Sequence, residues 1–237
     1  MRRRLVSLAV AAGMVTVFAA PGVADDGVAT FEVTITNLVA TQPISPPVVV
    51  THTAGTHFWQ MGTMASPGII AIAEDGEPSV AVAEQTGAAN VTGVVNVGQP
   101  LTMAGTTFGT FGDSVTIEID AVAGDVLSVA GMLICSNDAF AGGDSLALPR
   151  FGRPATYYLN VYDAGSERNT EQSEDIVDAC SLLGPVVLDG DDNGNNNAGI
   201  DTFRRVLPHR GVAGTGDLLL AHDWEDPAVM VTVSRVG

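Results

Sequence analysis

The alternation of apolar and polar residues with a period of two limits the fold of this sequence more than any other feature. Successive side chains of a β-strand point to opposite faces, so this alternation is typical of strands buried on one face. We expect the first and last alternating segments to pair and close the domain. The alternation predicts strands in five segments: "TFEVTITNL" (30–38), "PSVAVAE" (78–84), "SVTIEIDA" (114–121), "TYYLNVYD" (156–163) and "AVMVTVSRV" (228–236).

Two denser apolar runs, "PGIIAIAE" (67–74) and "GDVLSVAGMLI" (124–134), predict strands that are buried on both faces, because Gly, Pro and Asp turn residues bound them. Only the segment 171–184 favours a helix, with Ile176 and Cys180 at helical spacing and Gly184 as its end. The sequence therefore predicts an all-β fold, an antiparallel β-sandwich of about eight or more strands with one short helical insertion.

The N-terminal segment has the pattern of a secretory signal peptide. Three arginines at positions 2–4 precede the apolar run 5–20, and small residues follow at 22–24. We expect cleavage after Ala24, which leaves residues 25–237 as a single domain. A retained anchor helix is the alternative, but the apolar run is shorter than the ~20 residues that a membrane span needs. The expected location is therefore secreted or periplasmic, with no transmembrane anchor after signal removal.

The charge of the chain is strongly negative. There are 27 acidic and 10 basic residues, a net charge of −17, and every basic residue is an arginine. Removal of the three leader arginines would leave 7 basic residues against 27 acidic ones, or −20. Such a surface repels phosphate backbones and anionic headgroups, so we expect no nucleic-acid partner. The acidity fits either solubility outside the cell or a cation-binding surface.

The two cysteines, Cys135 and Cys180, favour a single disulfide in an exported chain. The bond would close a loop of 46 residues, counting both ends from 135 to 180. In the chain-entropy model, closing such a loop contributes ~3 to 4 kcal/mol of stability. Two buried free thiols are the alternative.

Acidic residues gather where predicted strands end, and the loops of a sandwich come together there. Calcium takes six to eight oxygen ligands in proteins, and loops from neighbouring strands can supply them. The segment 189–201 begins with the residue order of a calcium loop at 189–194. However, Ile200 stands where an EF-hand requires a bidentate acid. The segments are "CSNDAFAGGDS" (135–145), "YDAGSERNTE" (162–171) and "DGDDNGNNNAGID" (189–201).

Catalytic motifs are weak by comparison. The four histidines, at 52, 57, 209 and 222, lack the spacing of zinc ligands, and the chain has no G-x-S-x-G nucleophile motif. A Ser–His–Asp triad could still assemble from distant positions, so a hydrolase remains an alternative.

Several segments together resemble the spondin N-terminal domain, in the shorter form found in exported bacterial proteins. The motifs "SNDAF" (136–140) and "YDAGSE" (162–167) are the most specific part of this resemblance. The wider match consists of "FEVTITNL" (31–38), "SPPVVVTH" (45–52), "FWQMGTMASPGIIAIAEDG" (58–76), "GDVLSVAGMLICSNDAFAG" (124–142), "YYLNVYDAGSERNTE" (157–171) and "DWEDPAVMVTVSRV" (223–236).

The resemblance implies a β-sandwich of the calcium- and lipid-binding type, with one calcium ion held by Asp138, Asp163 and Glu167. A disulfide between Cys135 and Cys180 would then staple the two ligand loops from behind. The implied role is a secreted, non-enzymatic adhesion or ligand-binding module for an extracellular or cell-surface protein or glycan.

The motifs also depart from those of animal spondin domains, which have Trp at the position of Ala139, Thr at that of Ser166 and Asp at that of Glu167. The thrombospondin-type repeats that follow the animal domain are missing as well. Two alternatives therefore stay open: a divalent-metal-dependent extracellular hydrolase that uses the same acidic loops, and an acidic structural surface or biofilm protein.

Overall fold

The computed structural model describes residues 27–188 and 205–237. The expected signal segment and the calcium-like loop at 189–200 lie outside the described residues. The predicted strands at 30–38, 114–121, 124–134, 156–163 and 228–236 are confirmed. The strands in the described residues are β1 (Ala29–Asn37), β2 (Val48–Thr53), β3 (Val91–Asn96), β4 (Thr107–Phe108), β5 (Phe111–Gly112), β6 (Ser114–Ala121), β7 (Asp125–Met132), β8 (Ala139–Ala147), β9 (Ala155–Asp163), β10 (Leu207–Pro208) and β11 (Val229–Arg235).

The main sheet is antiparallel throughout and has the order β3-β2-β7-β8-β9-β11-β1-β6, with β10 paired to β9 and a separate β4–β5 hairpin. The two end strands approach each other at Gly93, where a Cβ atom would lie 2.8 Å from the backbone oxygen of Asp120. The sheet therefore curls into a nearly closed, barrel-like shape. The prediction of an all-β antiparallel domain is confirmed, and the strands pair in one continuous order.

The first and last strands pair as the sequence predicts. β1 lies antiparallel to β11, from Phe31 opposite Arg235 to Asn37 opposite Val229. Along β1 the side chains of Val33 and Ile35 are buried in the core, whereas Glu32 is exposed. The period-two pattern of this segment thus reports a strand with one face on the core.

Two predicted strands are wrong, because 67–74 and 78–84 form helices: α1 (Pro67–Asp75) and α2 (Ser79–Gln85). α1 has a proline in its first turn, and the N–H of Ile69 donates to Oγ of Ser66 at 3.2 Å. It ends at Gly76, whose φ of 63° is left-handed. Short apolar runs fit either the strand period of two or the helical period of 3.6 residues. Here the Ser-Pro start and the Gly end favour the helix.

The predicted helix at 171–184 is present as two shorter pieces. A single 3₁₀ turn covers Ser173–Asp175, and α3 (Ala179–Leu183) follows and ends at Gly184. The disulfide between Cys135 and Cys180 is confirmed, with an S–S distance of 2.06 Å. None of the helices in the described residues is long and apolar enough to cross a membrane.

Candidate functional site

Asp138 joins the two motifs "SNDAF" (136–140) and "YDAGSE" (162–167). It lies directly before β8 and is fully buried. Its Oδ2 accepts hydrogen bonds from the N–H groups of Ser166 at 2.9 Å and Glu167 at 3.1 Å, and its backbone oxygen accepts one from Ala164 at 3.1 Å. Since β8 begins at the end of the sheet where β9 stops, "SNDAF" and "YDAGSE" meet at this carboxylate.

Three buried carboxylate oxygens at this place have no hydrogen-bond partner among the described residues. They are Oδ1 of Asp138 and both oxygens of Glu167, and the Glu167 residue is only 3% exposed. An unpartnered buried polar atom costs free energy, and a buried charge costs more. A cation bound at this place would neutralise the charge of these carboxylates.

The groups around Glu167 make this place strongly negative. Burial, together with the charges of Glu74, Asp138, Asp175 and Asp75, raises the pKa of Glu167 to about 9. Burial and the charge of Asp163 raise the pKa of Asp138 to about 7, although the hydrogen bonds from Ser166 and Glu167 act to lower it. The residues Glu74, Asp75, Asp138, Glu167 and Asp175 are called the carboxylate cluster below.

Three members of the carboxylate cluster, Glu74, Asp75 and Asp175, were not predicted from the sequence. Glu74 and Asp75 end α1, and Glu74 is buried and accepts a hydrogen bond from the Ser166 side chain. Asp175 belongs to the 3₁₀ turn and is also buried, and its Oδ2 accepts a hydrogen bond from Oγ1 of Thr170 at 2.6 Å. An acid at the end of an apolar helix was the available signal for Glu74, and the strand assignment of 67–74 concealed it.

Asp163, the third predicted ligand, lies beside Asp138 but is bound differently. It is half-buried, and its Oδ1 accepts a hydrogen bond from the N–H of Gly165 at 2.8 Å. Its Oδ2 accepts one from Nδ2 of Asn169 at 2.7 Å. Asp163 therefore shapes its own loop, and its charge acts on Asp138. The assignment of all three residues as metal ligands stays a prediction.

Glu171 holds a second loop against the site. It is buried with a left-handed φ of 58°, and its Oε2 accepts hydrogen bonds from the N–H of Thr215 at 2.6 Å and from Oγ1 of Thr215 at 3.2 Å. Burial acts to raise the pKa of Glu171, but the N–H donors of Thr215, Ala213 and Gly216 outweigh burial and lower it. Unlike Glu167, this carboxylate is matched by donors of the chain.

The disulfide lies close in the chain and in the core to the 3₁₀ turn that carries Asp175. Cys135 and Cys180 pack in a buried group with Met132, Ile134 and Ile176, and Ile176 directly follows Asp175. His222 lies within 4.8 Å of both sulfur atoms. Because both cysteines are in the disulfide, this group offers no thiolate pair to a metal.

Ser128 and two histidines, the buried His52 and the exposed His57, form a separate hydrogen-bond network with Asp144. Nε2 of His52 lies 2.7 Å from Oγ of Ser128, which donates to Oδ1 of Asp144 at 3.0 Å, and Oδ2 of Asp144 lies 2.5 Å from Nδ1 of His57. Ser128 is fully buried and His52 almost so. Ser128 therefore has no access to a substrate. Asp144 contacts Ser128 itself and not His52, the histidine that is bonded to this serine, so the order of a catalytic triad is not present among these residues.

Comparison with curated proteins gave no match. The family model described as Spondin_N matches residues 39–180, which is 142 of the 237 residues. The matched stretch contains the whole carboxylate cluster and both cysteines. The chain therefore belongs to the spondin N-terminal domain family.

Proposed function

We propose that this chain is a secreted, calcium-stabilised, non-enzymatic module for adhesion or ligand binding, with an extracellular or cell-surface protein or glycan as its partner. Membership of the spondin family indicates an extracellular module. The disulfide fits an oxidising compartment outside the cytoplasm. The proposal includes the expectation that the curled sheet is a sandwich of the calcium- and lipid-binding type.

The observation that carries the calcium proposal is the set of three unpartnered oxygens on Asp138 and Glu167. Glu167 can bind an ion through both oxygens, and Asp138 can add Oδ1. Glu74 and Asp175 lie close enough for their charges to act on Glu167. Within the described residues they do not form a set of three ligand atoms within 4.8 Å with Asp138 and Glu167, so water or a shift of these side chains would complete the shell of an ion. Calcium takes six to eight oxygens and accepts bidentate carboxylates, whereas magnesium keeps several waters and needs octahedral geometry. A buried, carboxylate-rich site favours calcium.

An ion at the carboxylate cluster would have a structural role. It would tie together the end of α1, the start of β8, the loop after β9 and the 3₁₀ turn at Ser173–Asp175. A catalytic metal needs an open coordination position that a substrate can reach. The burial of Asp138 and Glu167 argues against such a position and therefore supports a non-enzymatic role over a metal-dependent hydrolase.

Thermal unfolding of the mature chain in EDTA, in calcium and in magnesium tests this proposal. A ligand at a hundredfold excess over Kd stabilises the folded state by ~2.7 kcal/mol. For a domain of this size, we expect calcium to raise the Tm by about 5–10 °C. Magnesium should have a much smaller effect. A Tm that is the same in EDTA and in calcium would contradict the proposal and favour an acidic surface protein.

A matched pair of variants ties the calcium effect to the carboxylate cluster. Glu167→Gln removes the charge that binds calcium but keeps the size of the side chain, and it should abolish the rise in Tm. Glu118→Gln makes the same change at an exposed position of β6 and should leave the rise intact. An equal rise in both variants would show that the ion binds elsewhere.

A further inference from the structure

A cavity of about 450 Å³ lies beside the carboxylate cluster, between the loop after β9 and residues 205–215. Its polar wall is formed by Asp163, Asn169, Glu171, Arg205, His209 and Arg210. The exposed residues Leu207 and Pro208 add an apolar side. The cavity is at the lower end of the size range of small-ligand sites, which is ~300–1,000 Å³.

The cavity brings together two of the few positive charges of this acidic chain. Arg205 uses one N–H, from Nη1, to donate to the backbone oxygen of Gly62 at 2.6 Å. Arg210 has no hydrogen bond or ion pair within residues 27–188 and 205–237. With respect to the described residues, both guanidinium groups therefore keep unused donors, and both arginines line the same cavity.

The other polar side chains of the wall are already paired with the chain. His209 accepts a hydrogen bond at Nδ1 from the N–H of Gly211 at 3.0 Å, so its Nε2 carries the proton that points to Oδ1 of Asn169 at 2.9 Å. Burial lowers the pKa of His209, which agrees with a neutral ring. Asp163 and Glu171 keep their negative charges, and each of their oxygens accepts at least one hydrogen bond from the chain. Among the polar side chains that line the cavity in the described residues, the two arginines are thus the ones with unused donors.

Such donors select an anionic ligand, because the planar guanidinium group binds a carboxylate or another oxyanion through two parallel hydrogen bonds. The charge of the whole chain limits which anion can approach. A net charge of −17 repels polyanions strongly, whereas it repels a ligand with one negative charge only weakly. The apolar side at Leu207 and Pro208 suits the carbon face of a small ring.

We propose that this cavity binds a small sugar acid, such as a uronic acid unit, with its carboxylate on Arg210 and Arg205. The sugar ring lies against Leu207 and Pro208. This names a ligand class for the binding role proposed above, but it uses residues outside the carboxylate cluster and stands whether or not that cluster binds calcium.

Titration of the mature chain with glucuronate tests the site, with isothermal calorimetry or NMR shifts as the readout, in calcium and again in EDTA. We expect saturable binding in the millimolar range. Glucose, which lacks the carboxylate, should not bind. Arg210→Gln should weaken glucuronate binding at least about tenfold, because a hydrogen-bonded charge pair is lost. Arg153→Gln removes an exposed arginine outside the cavity and should leave the affinity unchanged.

Three results would overturn the proposal: no binding of glucuronate by the folded chain, equal weakening by both arginine variants, or equally tight binding of sulfate. Tighter binding of a dipeptide with a free carboxyl end would assign the cavity to peptide termini and would overturn the sugar-acid assignment as well. The two proposals fail separately. Glucuronate binding without a calcium effect on Tm would contradict only the calcium role, and a calcium effect without glucuronate binding would contradict only this one.

Discussion

The backbone N–H of Glu167 donates a hydrogen bond to Oδ2 of Asp138 at 3.1 Å, so these two buried acids of the carboxylate cluster are in direct contact. Oδ1 of Asp138 and both side-chain oxygens of Glu167 have no hydrogen-bond partner in the described part of the chain. When both acids are ionised, their negative charges repel each other and lack donors that would offset the repulsion. Protons or a cation can neutralise this charge. The behaviour of this pair with pH follows from that charge.

The stability of the metal-free chain should fall as the pH rises. The folded pKa of Glu167 is about 9, above its ordinary value of 4.5, so the folded state holds a proton that the unfolded state releases. This contribution to stability is fully present below pH 4.5 and is lost as the pH rises through 9. Asp138, with a pKa of about 7, acts in the same direction between its ordinary value of 3.8 and 7.

Melting temperatures in EDTA from pH 5 to pH 9 measure this effect. Glu167→Gln stays neutral at every pH and should flatten the fall, whereas Glu118→Gln should keep it. Saturating calcium should also flatten the fall, because the ion replaces the protons. A wild-type Tm in EDTA that rises from pH 5 to pH 9 would contradict this account of the pair.

Glu171 should show the opposite pH dependence. Its pKa is lowered because the N–H donors of Thr215, Ala213 and Gly216 outweigh the effect of burial. Its contribution is therefore present above the ordinary value of 4.5 and is lost as the pH falls through the lower folded pKa. Glu171→Gln should cost about 1.5–3 kcal/mol at pH 7, the range for hydrogen bonds to a charged group.

Urea unfolding at pH 7 and at pH 3 measures the contribution of Glu171. The cost of Glu171→Gln should shrink at the lower pH, because below its ordinary pKa of 4.5 the unfolded parent chain takes up a proton at Glu171 and part of the stabilisation is lost. Glu118→Gln is again the control and should change the free energy of unfolding by less than about 0.5 kcal/mol. The same cost at both pH values would contradict the charge-based explanation.

The sequence predicted those parts of the fold where local pattern and tertiary environment agree. β1, β6, β7, β9 and β11 each follow a period-two or fully apolar pattern and occupy the sheet as predicted. α1 was missed because the period of "IIAIA" is ambiguous, and its caps Ser66 and Gly76 carry the deciding signal.

The candidate site was only partly predictable for the same reason. Asp138 and Glu167 lie in recognisable motifs and do come together. Glu74 and Asp175 reach the site through the packing of α1 and of the 3₁₀ turn, and no local pattern encodes that packing. The disulfide was predictable because the chain has only two cysteines.

The disulfide should support both stability and the metal site. Replacing Cys135 and Cys180 with alanine should lower the free energy of unfolding by ~3 to 4 kcal/mol, from the loss of the 46-residue loop constraint. Because Ile176 packs against the disulfide and follows Asp175, the double variant should also bind calcium more weakly. Urea unfolding and calcium titration of this variant measure the two effects. Unchanged calcium affinity would show that the 3₁₀ turn keeps its place without the disulfide.

The three predicted ligands should differ in their importance for calcium. Asp138→Asn and Glu167→Gln remove charge from the residues whose oxygens are unpartnered, so each should abolish the calcium-dependent rise in Tm. Asp163→Asn should only reduce the rise, because both Asp163 oxygens already accept hydrogen bonds from Gly165 and Asn169. Calcium titrations followed by Tm give the order of the three variants. Complete loss of the rise in Asp163→Asn would make Asp163 a direct ligand, and an unchanged rise would remove it from the site.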